Sequence, residues 1–427
     1  MSKLFNYVST ESIDVDDTFN EEMTEWFNER AAVSTENFNE ITRTISALES
    51  VLDICDHVKD KNNISTEEYN IINIALENMV ADTDYRPKHL MPGVERWTEN
   101  VSLEEVTEAV ERNVESISSR FSNLIRVLTD SLDLISGFIG REETTIKNLK
   151  KEVSSSNIKN ATIEIKDSKY LRYGDDNNQV TTGAEYSSVF KTDMGKLNGV
   201  LKVVSKFQRD SLFISWKTLV KVLSDKKLTE NYKLVYDLVT SIRNELGMKK
   251  VSSSSGFFSP DMETFLSEHL LGMMTVSVRL PEEKPTSNPS VEYIKKVASH
   301  INVTTNRDNI FNSSNSSGLF DITGIDKKNL MELLDTSEET IKAYKPFLKV
   351  ANIIANKGST LIINSFAREM ITNKISLLRL LLSNYRLMLA ISTIDYAIST
   401  QIFAHARGNI KEAIKFTKEA LEQSESE

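Results

Sequence analysis

The stretch LLRLLLSNYRLMLAI, from Leu377 to Ile391, decides the fold class predicted for this chain. Here, and onward to Ile398, apolar residues spread around most of a helical circumference. A helix that is apolar nearly all round lies buried in a protein or in a bilayer. Arg379 and Arg386 interrupt the richest part, and each would cost about 2.5–3.5 kcal/mol at a bilayer centre. The sequence therefore predicts a soluble protein with a central helix over 359–407, about 70 Å long at 1.5 Å per residue.

A second long helix is predicted nearer the N-terminus. Ser102 and Glu105 form a capping box. From Val106 to Ile139 apolar residues then recur at intervals of three and four, which average close to the 3.6-residue period of a straight helix. We expect this helix, over 102–150, to pack against the central one. A shorter heptad pattern from Phe38 to Cys55 predicts another packed helix.

The middle of the chain has a different pattern. Ala161, Ile163 and Ile165 alternate with polar residues. Val276, Val278 and Leu280 do the same, and residues 186–190 are a further candidate strand. Alternation of this kind predicts short strands in a small, mostly antiparallel sheet or hairpin.

The remaining segments are assigned by their turn and cap signals. Helices are predicted over 196–224 and 229–248, and a mobile loop over the Asn-, Ser- and Thr-rich residues 303–326. Thr336, with Glu339 three residues later, predicts the start of a helix over 337–357 that is separate from one at 326–334. An amphipathic helix over 409–423 completes the chain.

These patterns predict a mainly α fold, an elongated bundle around two or three very long helices with a small inserted β element. We divide it into an acidic leader (1–18), an N-terminal helical region (19–155), a middle α+β region (156–325) and a C-terminal helical region (326–427) that packs on 102–150.

Charge is distributed unevenly along the chain, whose net charge is −11. Residues 1–120 hold 10 basic and 26 acidic residues, a net of −16, whereas residues 191–250 hold 13 and 6, a net of +7. The basic segment either meets a polyanion or faces the acidic segment, within or between subunits. Because Asp210, Asp225 and Glu230 lie among its lysines, tight binding of duplex DNA is not expected.

No motif predicts a catalytic, cofactor or metal site, so we expect a non-enzyme without cofactors. Tyr173-Gly174-Asp175-Asp176 has the letters of a polymerase metal motif, but Asn177 and Asn178 follow where an apolar strand should begin. The sequence favours a solvated turn there. The five histidines lack metal-site spacing, and the single Cys55 fits a packed thiol in a reducing compartment. Residues 1–7 carry no apolar signal segment, which predicts synthesis in a host cytoplasm without general export.

One short motif points to a biological context. Ser9-Thr10-Glu11 and Ser34-Thr35-Glu36 each place a small residue two positions before Glu. This triplet is similar to the recognition triplet of prohead proteases in large tailed bacteriophages. With the acidic leader and long helices, the chain resembles virion structural proteins of the inner-head type from myovirus-like phages. The resemblance implies a virion location, cleavage between Glu11 and Ser12, and partners that are other virion proteins, further copies of this chain or a prohead protease.

Two other functions are compatible with the sequence. An α-helical pore-forming toxin combines long helices with a small β-rich tongue, but it needs an uninterrupted apolar stretch, and Arg379 and Arg386 break the best one. An enzyme could also assemble its site from scattered residues that carry no sequence signature.

Overall fold

The computed structural model describes 266 of the 427 residues. The described residues are 40–53, 63–65, 101–102, 135–166, 168–209, 225–256, 259–282, 300–307, 319–365 and 374–425, with single positions at 67, 70, 74, 110, 113, 132, 290, 293, 294 and 297. Helices account for 70% of them and the sheets are small and antiparallel, so the mainly α prediction with a small β element is confirmed.

Seven α-helices and ten strands make up the described parts. The helices are α1 (40–53), α2 (135–155), α3 (Gly183–Phe207), α4 (Asp225–Glu245), α5 (Lys327–Ser365), α6 (Lys374–Tyr396) and α7 (Phe403–Glu425). The strands are β1 (Asn63–Ile64), β2 (Val101–Ser102), β3 (Ala161–Lys166), β4 (Arg172–Tyr173), β5 (Asn178–Gln179), β6 (Lys249–Gly256), β7 (Ser259–Leu266), β8 (Met274–Pro281), β9 (Asn302–Arg307) and β10 (Leu319–Ile325).

The main sheet is antiparallel with the order β6-β7-β8-β9. Its predicted strand β8 buries Val276, Val278 and Leu280 on one face, as the alternation indicated. The other predicted strand, β3, pairs with β10. β4 with β5, and β1 with β2, form antiparallel pairs of two residues each. The stretch 303–326, predicted to be a loop, instead contributes most of β9 and all of β10. Its residues 308–318 lie outside the described part.

Residues 186–190 are helical, and the prediction of a strand there is wrong. Thr182 caps α3 by accepting a hydrogen bond from the backbone N of Glu185. Tyr186 and Phe190 are then fully buried on the core side of that helix, one turn apart. The local cap therefore outweighs the β propensity of the aromatic residues.

The central helix does not have its predicted bounds of 359–407. α5 ends at Ser365, residues 366–373 lie outside the described part, and α6 begins at Lys374. A six-residue π-helical segment, Ala397–Ile402, joins α6 directly to α7, so the predicted start of a new helix at 409 is also wrong. The helices α3 to α7 have between 21 and 39 residues, which is shorter than the predicted helix over 359–407.

The 326–334 and 337–357 segments belong to one helix, α5, so the predicted helix start at Thr336 is wrong. The Ser337 hydroxyl donates to Leu333 O over 2.8 Å and the Thr340 hydroxyl donates to Thr336 O over 3.0 Å. Hydroxyl groups that bond to the preceding turn do not end a helix. Of the other predicted long helix, over 102–150, the structure describes α2 and a few single positions, and α2 continues to residue 155.

Ion pairs fix the directions in which these helices pack. Lys150 with Asp335 (2.6 Å) and Glu143 with Lys345 (2.6 Å) show that α2 runs antiparallel to α5. α3 and α5 run parallel, from a bridge between Thr182 and Thr323 through the pair of Lys191 with Glu332.

α6 packs antiparallel on α1 through its two arginines. Arg386 bonds Glu49 at 2.6 Å and Arg379 bonds Asp53 at 2.8 Å. The arginines that argued against a bilayer are therefore both ion-paired, Arg386 in a buried pair and Arg379 in a pair whose carboxylate is exposed. No helix in the described ranges is long and apolar enough to span a membrane.

Candidate functional site

Several of the residues singled out from the sequence lie outside the described part of the chain. These are the predicted processing site, Glu11 and Ser12, together with Cys55, His57 and His89. The structure does place the Tyr173 motif, three histidines and much of the basic segment.

Tyr173-Gly174-Asp175-Asp176 forms the predicted turn. It joins β4 to β5, with positive φ angles at Gly174 (+71°) and Asn177 (+53°). The Asp175 carboxylate accepts a hydrogen bond from the backbone N of His269 over 3.1 Å and lies 2.8 Å from His269 Nδ1. These bonds lower the pKa of Asp175. The carboxylate thus fastens this turn to the loop between β7 and β8. Within the described residues, no three His, Cys, Asp or Glu side chains gather as a metal site.

A buried polar cluster, which we call the polar junction, lies where α7 meets the loop before β8. His405, Asn409 and Glu412 follow one another at spacings of four and three, and all three are buried. Asn409 Nδ2 donates to the backbone O of Leu271 over 3.0 Å, and Ser168 Oγ donates to Glu412 Oε2 over 3.0 Å. One face of α7 therefore holds two separate loops in place.

A second carboxylate holds the same loop from α3. Asp193 Oδ2 accepts a hydrogen bond from the backbone N of Leu271 over 2.7 Å. Burial raises the pKa of Asp193, although this bond and Lys196 oppose the shift. Gly272 (φ +92°) and Gly408 both lie against the Tyr170 ring. A Cβ on Gly408 would come within 2.2 Å of the Tyr170 hydroxyl oxygen. These close contacts are typical of a tightly packed contact between secondary-structure elements.

The polar junction was not predicted from the sequence, because its histidine was considered only as a metal ligand. The available signal was the i, i+4, i+7 repeat of His405, Asn409 and Glu412 within an otherwise apolar helix face. A polar stripe at helical spacing indicates a buried hydrogen-bonded contact as readily as a ligand site.

A cleft of about 610 Å³ lies between the C-terminal part of α3 and the middle of α5. Its lining residues are Asn198, Lys202, Ser205, Lys206, Arg209, Glu339, Lys342, Ala343 and Pro346. We call this feature the cationic cleft, because four of these side chains are basic and one is acidic. Three of the four basic residues come from the basic segment identified in the sequence.

The cations of the cleft differ in their contacts. Lys342 Nζ lies 2.5 Å from Glu338 Oε1, one turn away on α5. Lys202 and Lys206 are exposed and have no ion pair with any residue in the described ranges. Pro346 has no amide hydrogen, so it cannot donate the usual helical bond to the carbonyl of Lys342 at the cleft wall.

Two neutral polar atoms at the cleft are buried without hydrogen-bond partners. They are Oδ1 of Asn198, a residue that is only 8% exposed, and Oγ of Ser205. Most buried polar groups in proteins are hydrogen-bonded, so two buried polar atoms without a partner at one cleft call for a physical explanation.

The basic segment and the acidic end of the chain have different partners in the described contacts. Lys191 pairs with Glu332, Lys249 with Glu268 and Lys250 with Glu263, all outside the acidic end. Glu49 and Asp53 of the acidic end pair with α6, as described above. These contacts do not bring the two segments together and leave the polyanion interpretation open.

Comparisons with protein-family models, with curated proteins and with solved structures found no match to this chain.

Proposed function

We propose that this protein is a non-enzymatic structural component of the virion of a large tailed, myovirus-like bacteriophage, packaged in or attached to the head. The geometric observation that supports a structural role is the use of charged side chains as connectors between distant segments. Glu49 with Arg386, Glu143 with Lys345 and Asp175 with His269 each join residues that are more than 90 positions apart. The virion context comes from the triplet Ser9-Thr10-Glu11.

The proposal includes the finer architecture expected from the sequence. In it, the described helices belong to an elongated bundle that assembles in many copies, with itself or with other virion proteins. Ion pairs and apolar contacts between antiparallel α2 and α5 and between α1 and α6 are compatible with such a bundle.

The test begins with the protein from purified particles. Peptide mass spectrometry should find the chain in virions, and terminal sequencing should give a mature N-terminus at Ser12, because polar chain termini are common sites of proteolytic cleavage. A chain that starts at Ser2 in assembled particles would remove the processing part of the proposal. Absence of the protein from particles would contradict the virion location.

Two variants make the processing test specific. Glu11→Gln should leave the full-length chain in particles, since the triplet loses its carboxylate. Glu36→Gln, in the second triplet, is the matched control and should still be processed to Ser12. Equal processing of both variants would show that the triplet at Glu11 is not the cleavage signal.

A further inference from the structure

We propose that the cationic cleft between α3 and α5 binds a small phosphorylated molecule that carries several negative charges and a hydrogen-bond donor, the chemistry of a nucleoside triphosphate. This inference does not depend on the virion proposal, because it rests on the lining of the cleft alone.

The first support is the charge of the cleft. Lys202, Lys206, Arg209 and Lys342 line the cleft together with one carboxylate, Glu339. Even with Glu338 counted as the partner of Lys342, the basic side chains outnumber the acidic ones, on a protein whose net charge is −11. A cleft lined mainly by one sign of charge concentrates ions of the opposite sign. Phosphate groups match both lysine ammonium groups and the guanidinium group as ligands.

The second support is size. The cleft volume, about 610 Å³, falls within the range of roughly 300–1,000 Å³ that is usual for sites of small molecules and cofactors. Duplex DNA is wider than its major groove, which alone measures about 12 Å. It could not enter a cleft of this volume and would touch only the rim. The volume therefore favours a small ligand over a nucleic acid duplex.

The third support is the pair of buried polar atoms that lack a hydrogen-bond partner. Asn198 Oδ1 can only accept a hydrogen bond, and it would accept one from a hydroxyl or amino group of the ligand. Ser205 Oγ can donate to a phosphate oxygen. A bound molecule that carries both phosphates and hydroxyl or amino groups could satisfy both atoms at the same time.

A simpler explanation accounts for only part of the cleft. Lysine and arginine near the C-terminus of a helix are stabilised by the helix dipole, and this applies to Lys206 and Arg209 at the end of α3. It does not apply to Lys342, in the middle of α5, but that lysine is already paired with Glu338. The buried Asn198 amide is the feature that a ligand site adds.

The experiment is calorimetric titration of the full chain with ATP and with inorganic tripolyphosphate at 150 mM salt without divalent cations. We expect one ATP site per chain. The double variant Lys202→Ala/Lys206→Ala should weaken ATP binding by about tenfold or more, since two charge-assisted contacts are lost. The matched control is Lys159→Ala/Lys418→Ala, which removes two exposed lysines that do not line the cleft and should change the affinity by less than about twofold.

The variant Asn198→Leu distinguishes a specific ligand site from a surface that is only basic. It should weaken ATP binding by about fivefold and change tripolyphosphate binding by less than about twofold, because tripolyphosphate lacks the nucleoside hydroxyl and amino groups that would donate to Oδ1. The melting temperature of this variant should be equal to or above that of the wild type, because an apolar side chain replaces an unpaired polar one.

Three results would overturn the proposal. The first is no ATP binding at millimolar concentration. The second is equal weakening by the cleft and control double variants, which would show a general charge effect. The third is a 20-base-pair duplex that binds more tightly than ATP and loses affinity in the cleft double variant, which would assign this face to nucleic acid.

Discussion

The contact of α6 with α1 and the cleft between α3 and α5 use basic residues in opposite ways. The Arg386 side chain is 7% exposed and bonds a Glu49 side chain that is 12% exposed. At the cleft, Lys202 and Lys206 are exposed and make no ion pair within the described ranges. The difference teaches that burial and partners, and not the residue type, decide whether a cation stabilises the fold or remains available to a ligand.

The largest effect on stability is expected when the buried pair of Glu49 and Arg386 is broken at Glu49. Glu49→Ala should lower the free energy of unfolding by about 3–5 kcal/mol, because it leaves the Arg386 charge buried without its carboxylate. Urea unfolding at neutral pH measures the loss. Glu268→Ala is the control, since it removes the partner of Lys249 in an exposed pair and should cost about 0–1 kcal/mol. Equal small losses at both sites would mean that α1 is not held by this pair.

The apolar part of the same contact gives the second test. Leu382 is fully buried on α6, so Leu382→Ala should cost about 2–5 kcal/mol by loss of burial and creation of a cavity. Leu319→Ala is the matched control, because that leucine is 61% exposed and its truncation should stay within about 0.5 kcal/mol. A cost below 1 kcal/mol at Leu382 would show that α6 is not a centre of stability.

The third test uses pH at the contact of α2 with α5. Hydrogen bonds from Lys150 and Lys342 lower the pKa of Glu338 to about 2 from 4.5. A depressed carboxyl pKa adds stability above the unfolded-state value, and this stability is lost as the pH falls from 4.5 through 2. Glu338→Gln should therefore be less stable by up to about 1 kcal/mol at pH 7, and this difference should shrink steadily as the pH falls from 4.5 to 2. A difference that stays constant over this range would contradict the assignment.

The smallest effect is expected at the cleft. Lys202→Ala/Lys206→Ala should change the free energy of unfolding by less than about 0.5 kcal/mol without ligand, since neither side chain is buried or ion-paired within the described ranges. Thermal melting in the absence of ATP measures it. A loss above 1 kcal/mol would show that these lysines serve the fold and would erase the contrast with Arg386.

Periodicity predicted the parts of the fold in which a single face is buried. The alternation at Ile163 and Ile165 and at Val276 and Val278 identified β3 and β8, since both strands bury alternate residues. Periodicity failed to predict the secondary structure where a few polar atoms decide it. The Thr182 cap made 186–190 helical, and the hydroxyl of Ser337 bonds backwards to the preceding turn of α5.

The cationic cleft could be foreseen only in part. Its charge excess is visible in the sequence over 191–250, but Lys342 and Pro346 come from a helix more than 130 residues away from the end of α3. Only the parallel packing of α3 and α5 brings the two sets together. The orphan Asn198 oxygen likewise depends on burial, which no local pattern in the sequence encodes.

The π-helical segment between α6 and α7 has a consequence for how this chain tolerates changes in length. A π turn holds one residue more than the α turn it replaces, and here Gln401 within it receives a hydrogen bond from Thr305 of β9. Loss of one residue within 397–402 can be absorbed by a return to regular α-helix, so the buried faces of α6 and α7 keep their directions. The same loss inside α6 turns every later side chain by about 100°. Single-residue deletions along 380–420, followed by thermal melting, should therefore find their most tolerant site in this one turn.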